Sequence, residues 1–204
     1  MNVHSKEGDG RVMKNNDTRK EVMQAALRLI AEHGFHEAPM AMIAKTAGVG
    51  TGTIYCHFKS KDELIKELFL ELRGTITAIL IEGYSVDKPI RERFLHLSTA
   101  LLKYFIENSL HFRFIEQYIN SPYGVNFRRE RFMREPSAEL DIFETLFEQG
   151  IAQQVMKDFP LPVHFALAFG PLIALVRDHV LGFVNLDDAM TVKFVESCWE
   201  GIKR

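Results

Sequence analysis

One stretch limits the folds open to this chain more than any other: Ala47-Gly48-Val49-Gly50-Thr51-Gly52-Thr53-Ile54-Tyr55-Cys56-His57-Phe58. Gly48 is free to take the left-handed conformation that ends a helix, so Ala-Gly-Val reads as the tight turn of a helix-turn-helix. A short second helix from about Thr51 to Phe58 then puts Val49, Ile54 and Phe58 on one side, because residues four apart share a face. That side can pack. The opposite surface carries Thr51, Gly52, Thr53, Tyr55 and His57: hydroxyls, a ring nitrogen and a residue with no side chain to hold a phosphate away. Such groups suit close approach to base edges and phosphate oxygens. Lys59 and Lys61 come next, and cations beside a helix end neutralise further phosphates.

The run that starts at Gly34-Phe35 and continues through Ile43-Ala44-Lys45-Thr46 to Lys59-Ser60-Lys61-Asp62-Glu63-Leu64 resembles the N-terminal DNA-binding domain of the tetracycline-repressor (TetR) family. The resemblance is gap-free and covers about a quarter of the chain. It implies an all-α protein: a flexible tail over 1–16, a three-helix helix-turn-helix domain over 17–62, and a helical effector-binding and dimerisation domain over 63–204. It also adds Lys45 and Gly50 to the residues expected at DNA. Lys14 and Arg19 are expected at the edge of the duplex, where basic arms often lie. The chain departs from the family at Ala38, where Ser or Thr usually caps the second helix. Pro39 at the first helical position partly compensates, since its fixed φ suits a helix start. Met40 and Met42 stand where the family often has an aliphatic and an acidic residue.

Charge alone gives no general pull toward nucleic acid, because the formal net charge of the 204 residues is -2. The segment 1–62 holds 9 Lys/Arg against 7 Asp/Glu, leaving 16 against 20 for the remainder. Binding must therefore rely on placed cations and a doubled site, which favours a homodimer. Cys56 and Cys198 lie far apart and lack a Cys-x-x-Cys partner, so neither a disulfide framework nor a zinc site is expected. The polar N-terminus lacks the apolar run of a secretory signal, and a cytoplasmic protein is the simpler reading.

Further along, helical spacing continues. The first helix is expected from Asp17 or Thr18 to His33 with Gly34 as its stop. Leu64, Leu68, Leu72, Ile76 and Leu80 recur every four residues, predicting a long helix that links the head to the C-terminal domain. Helices are expected from Pro89 or Ile90 to Glu107, Leu110 to Asn120, Pro136 to Met156, Val163 to Val184 and Asp187 to Ile202, with breakers at Ser121-Pro122 and Tyr123-Gly124. No sustained alternation argues for a sheet. Tyr104, Phe105, Phe112, Tyr118, Tyr123, Phe143 and Phe147 belong to an aromatic-rich span that could line an effector cavity or simply form core. The run Arg128-Arg129-Glu130-Arg131 … Arg134 could hold an anionic ligand, although a mixed-charge exposed helix is the commoner explanation.

The apolar run Phe165–Val176 has 12 uncharged residues, too few to span a bilayer. A helix that is apolar all round must be covered on every side. Phe165, Phe169, Leu172 and Val176, with Phe194, Cys198 and Trp199 on the last helix, are therefore expected at a two-fold four-helix interface, and Pro171 is expected to kink the first of the two.

Nothing reads as catalytic. The eight histidines show no His-x-x-x-His pair and no Glu-x-x-His motif, and neither a nucleophile elbow nor a Gly-rich phosphate loop is present. No metal or cofactor is expected. The reading is a regulator that binds double-stranded, pseudo-palindromic operator DNA as a homodimer and is released by a small hydrophobic or amphipathic effector. The alternative keeps the DNA-binding head but makes the C-terminal half a ligand-independent dimerisation and protein-docking module of an activator or architectural factor.

Overall fold

A computed structural model describes residues 7–133 and 141–204, with side chains from Asp17 onward. Ten helices succeed one another among the described residues: α1 Glu7–His33, α2 Met40–Thr46, α3 Thr51–His57, α4 Lys61–Ile81, α5 Ile90–Glu107, α6 Ser109–Ile119, α7 Pro122–Phe132, α8 Ile142–Ala152, α9 Leu161–Val180 and α10 Asp188–Ile202. The only extended pairing among them is an isolated bridge between Met156 and Lys203. The protein is all-α.

Three helix starts differ from the sequence expectation, each for a local reason, and α8 and α9 also end early, at Ala152 and Val180 rather than Met156 and Val184. α1 begins at Glu7, ahead of Asp17, because each residue added to an existing helix gains a hydrogen bond at little further cost. Of the expected tail, 1–6 lie outside the described residues and 7–16 continue α1. The Ser121-Pro122 pair starts a helix where a break was expected. Proline has no N–H to waste in a first turn, and Ser121 Oγ accepts the Tyr123 N–H at 3.2 Å. α8 opens at Ile142, where Asp141 accepts from the Phe143 and Glu144 N–H groups while the Glu144 carboxylate accepts the Asp141 N–H, a reciprocal cap. The expected start at Pro136, and Arg134, lie outside the described residues.

The chain forms two compact units. The first takes residues up to Leu72 together with Leu110–Tyr123; the second takes Arg73–Ser109 and Gly124–Arg204. In the first unit the stripe Val22, Ala26, Leu29 and Ile30 of α1 is buried with Ile43, Ile54, Phe58, Leu64, Ile65 and Leu68. Fully burying a side chain of this size contributes roughly 1.5–3 kcal/mol.

The second unit is built on α5, α8, α9 and α10. α8 comes close to its neighbours at Gly150, where an added Cβ would lie 2.5 Å from Met156 Sδ and 3.2 Å from Ile90 Cγ2. On α9, His164, Ala168, Leu172 and Val176 recur every four residues and are buried. The other side of α9 is different: Val163 and Leu167 are 40% and 38% exposed, and Gly170 and Ala174 are exposed between them and Leu181. Pro171 lies inside this helix. By length and composition α9 would also pass as a membrane span, with a mean hydropathy of 1.4.

Arg131 closes the junction of α7 and α8. It pairs with Asp141 and, at 2.8 Å, with the fully buried Glu144, and its guanidinium lies 4.1 Å from the ring centroid of Phe165. Of the arginine run, Arg131 is thus committed to carboxylates and rings within the chain, while Arg128 and Arg129 are exposed.

Candidate nucleic-acid interface

The turn between α2 and α3 is fixed by two backbone bonds. Val49 N–H reaches Ala44 O at 3.0 Å and Gly48 N–H reaches Lys45 O at 3.2 Å, the pairing that closes a helix through a left-handed residue. Gly48 supplies that residue at φ +70°, which any larger side chain would strain. Pro39 caps α2 from outside the helix, one position earlier than expected, with Ala38 fully buried behind it.

α3 is held by one buried anchor, Ile54, with Phe58 buried just past its end. Its remaining surface is outward: Thr51, Gly52, Thr53, Tyr55 and Cys56 are exposed and His57 is half-buried, with Tyr55 at 52% exposure. Gly50, Lys45 and Lys59 are exposed beside them. A Cβ built on Gly52 meets nothing within 4 Å, so nothing inside the chain requires glycine there. A small residue that its own fold does not demand is what a surface needs if another backbone is to come close.

Two expected phosphate contacts are already engaged. Arg19 pairs with Glu67 and lies 3.6 Å from Glu71, with its guanidinium 5.4 Å from the Phe58 ring centroid. Lys61 donates to the Phe35 carbonyl, and burial holds its pKa below the usual lysine value despite Asp62 nearby. Both therefore brace the base of α3 and α4 within the chain. The side chain of Lys14 lies outside the described residues. α4 itself starts from a local cap: Glu63 N–H donates to Ser60 Oγ at 3.1 Å while the Glu63 carboxylate accepts the Lys59 N–H.

Sequence reasoning missed the support that α6 gives this head. Phe69 stacks on Tyr118 at 3.8 Å, Tyr118 on Tyr123 at 5.8 Å, and Phe35 meets both Phe114 and Tyr123. Gln117 donates to the Ala31 carbonyl at 3.2 Å, and the Tyr123 hydroxyl donates to Asp62. Burial first, and then this bond to Asp62, push the Tyr123 phenol up to about 12. No local pattern links positions 62 and 123. The aromatic density near 118 was the sole signal, and it does not name a partner.

The seven aromatics considered for an effector cavity divide between the units. Phe112, Tyr118 and Tyr123 belong to the first. Tyr104, Phe105, Phe143 and Phe147 belong to the second, where Phe143 and Phe147 pack on Phe169, and Phe147 on Phe165. Six of the seven are at most 9% exposed and Tyr123 is half-buried, so they act as core in this structure.

The expected dimer residues are also largely consumed by their own chain. Leu172, Val176, Cys198 and Trp199 are at most 5% exposed, and Phe165, Phe169 and Phe194 are half-buried. An apolar helix is covered on one side by its own unit. On the opposite side of α9 the stripe through Val163, Leu167 and Ala174 stays exposed.

The architecture and this outward helix define a DNA-binding helix-turn-helix protein with a helical second domain. Comparison with known proteins agrees over nearly the whole length. The model of bacterial regulatory proteins of the tetR family matches residues 22–68, and that of the tetracyclin repressor-like C-terminal domain matches 89–203. An uncharacterized HTH-type transcriptional regulator of Haemophilus influenzae is 24% identical over 92% of this chain and 97% of its own. The fatty acid metabolism regulator protein of Bacillus subtilis is 34% identical over 42% of each chain. A TetR family transcription regulator from Marinobacter aquaeolei has the same fold, with a TM-score of 0.80 at 22% identity over 94% of this chain and 98% of that one. The chain belongs to the TetR family of transcriptional regulators. It is a DNA-binding regulator, not an enzyme.

Proposed function

We propose that the protein is a homodimeric repressor that places two α3 helices in successive major grooves of a pseudo-palindromic operator and is released by a small hydrophobic or amphipathic effector. The observation that carries the DNA reading is the one-sided anchoring of α3. Ile54 is fully buried while Thr51, Thr53 and Tyr55 are exposed. Direct readout needs such free donors and acceptors on a helix small enough for the major groove. The homodimer rests on the free stripe of α9. Val163, Leu167, Gly170 and Ala174 leave an apolar ridge of small and aliphatic residues that a second copy covers by symmetry. Effector response rests on covalent continuity: α4 and α7 each run from one unit into the other, so a ligand held by the second unit can bias the first. Its leverage is limited to its differential affinity for the two states. A regulator of this kind acts in the cytoplasm, where its operator lies.

Selection of purified protein against a randomised DNA pool, followed by sedimentation of the complex, tests the reading. An enriched inverted repeat bound by two chains is expected. Enrichment of a single half-site bound by one chain would remove the dimeric repressor. Operator binding that no small molecule weakens would favour the ligand-independent alternative.

A further inference from the structure

α3 has none of the side chains that make two-point contacts to a base. Such contacts come from Arg or Lys on guanine, from Asn or Gln on adenine, and a carboxylate serves cytosine. The run from Thr51 to His57 contains none of these six residue types.

The geometry of the helix narrows the choice further. A helix turns about 100° per residue, so the side directly away from the buried Ile54 belongs to Gly52 and Cys56, two positions before and two after it. Gly52 presents only hydrogen there, and a Cβ built on it meets nothing within 4 Å. Cys56 is exposed, yet its thiol donates back along the helix to the Gly52 carbonyl at 3.4 Å. Thr53 and Tyr55 flank this line, about 100° to either side of Ile54. Thr53 Oγ1 is turned toward the start of the helix, 3.7 Å from where a Cβ on the capping Gly50 would stand. The part of α3 that reaches furthest from its own anchor is therefore small and apolar.

The major groove offers one group to match it. Base edges there are hydrogen-bond donors and acceptors, apart from the C5 methyl of thymine. Donors or acceptors pressed against Gly52 and Cys56 would lose water without gaining a partner. A methyl loses nothing.

We propose that α3 selects its half-site through a thymine C5 methyl seated against Gly52 and Cys56, with the Thr53 side chain at its edge. This rests on the reading of α3 as the helix that enters the groove, and it adds what the helix recognises there. Cytosine lacks the methyl, and a purine sets polar edge atoms in its place. Tyr55 and Lys59, exposed beside this face, are left for the backbone.

The operator recovered from the randomised pool is resynthesised with deoxyuridine in place of each thymidine in turn, which deletes the C5 methyl alone. Affinity of the full-length protein is measured by fluorescence anisotropy at one fixed salt concentration, because phosphate contacts vary with salt. At one thymine in each half-site the loss should be about fourfold, roughly the factor for one buried carbon. Gly52→Ala supplies the complementary half of the test. Its added methyl takes the space that the thymine methyl needs, so its affinity for the natural operator should fall at least about fourfold. On DNA with uracil at that same thymine it should bind as tightly as the wild-type protein does. A half-site without thymine overturns the proposal. So does undiminished affinity for every uracil-containing operator, or a Gly52→Ala defect that no uracil relieves. Each of these leaves α3 as the helix that contacts DNA, whereas failure to enrich any sequence would remove the operator reading and this proposal with it.

Discussion

The phenol of Tyr123 donates a hydrogen bond to Asp62, joining the second residue of α7 to the second residue of α4. Asp62 comes only five positions after the last residue of α3, so the bond braces the helix next in line after the DNA-facing one. With its pKa pushed up to about 12, Tyr123 should ionise well above the ordinary tyrosine value near 10 in an alkaline absorbance titration. Asp62→Asn should bring that step down only in part, since burial is the larger cause. The raised value means that the stability contributed by this phenol is full below its unfolded pKa near 10 and is lost as pH rises through the folded value. Tyr123→Phe should cost about 0.5–1.5 kcal/mol in denaturant unfolding, the range for one hydrogen bond. A variant with unchanged stability and an unchanged tyrosine titration would show that the bond does not persist in solution.

Gly52 gives a prediction in which stability and function move in opposite directions. An alanine there meets no neighbour within 4 Å. Gly52→Ala should stabilise the fold by up to about 1 kcal/mol, the helix-propensity difference. Its operator affinity should fall, because the added methyl lies on the outward surface of α3. Gel-shift titration beside thermal melting reads both. Tyr55→Ala should likewise weaken binding without unfolding the protein, and a tighter complex from either variant would place DNA elsewhere.

Two substitutions on α9 should behave differently although they are two residues apart. Leu167 is 38% exposed on the free stripe, whereas Phe169 packs on Phe143, Phe147 and Phe165. Leu167→Glu should yield a folded monomer with poor operator affinity. Phe169→Glu should lower the melting temperature sharply, since it sets a charge into an aromatic core. Analytical ultracentrifugation and circular dichroism separate the two outcomes. A Leu167→Glu protein that sediments as a dimer would move the interface off this stripe.

His164 makes the second unit acid-sensitive. It is fully buried, stacks on Phe147 at 5.1 Å, and has Nε2 2.9 Å from the Lys157 carbonyl, while Nδ1 is buried without a partner among the described residues. Burial lowers its pKa against the opposing effect of that carbonyl. A depressed folded pKa leaves the unfolded chain binding more protons, so stability holds above the unfolded value near 6.5 and declines as pH falls through the folded one. His111 is shifted the same way by burial and adds to the slope. Melting temperatures measured from pH 7.5 to 5 should therefore fall toward acid, and His164→Phe should flatten the curve. An equally steep curve in that variant would put the acid sensitivity elsewhere.

Local chemistry wrote the head plainly into the sequence. Gly48 requires a turn, Ile54 and Phe58 require a buried side, and Lys61-Asp62-Glu63 opens a helix, all within a few residues. Helices α4, α5, α6, α9 and α10 come from periodicity and stops of the same short range. Choosing which side of α9 faces its own chain is a different problem. That helix is apolar around most of its circumference, so only the placement of α5, α8 and α10 separates Leu172 from Leu167. Arg93 is harder still. It falls in the first turn of a helix expected from Pro89 or Ile90, and its burial depends on Tyr84 and Gln149, to which it donates and which no spacing rule connects to it.

The first unit is discontinuous along the chain, since Leu110–Tyr123 completes it after the second unit has begun. A head excised at Leu72 would bare the rings of Phe35 and Phe69 and be prone to stick to itself. Grafting this specificity onto another regulator therefore demands two splices, one for the front half and one for the strip bearing Phe114, Tyr118 and Tyr123. A chimera joined only once would mix the footing of one parent with the reading head of the other.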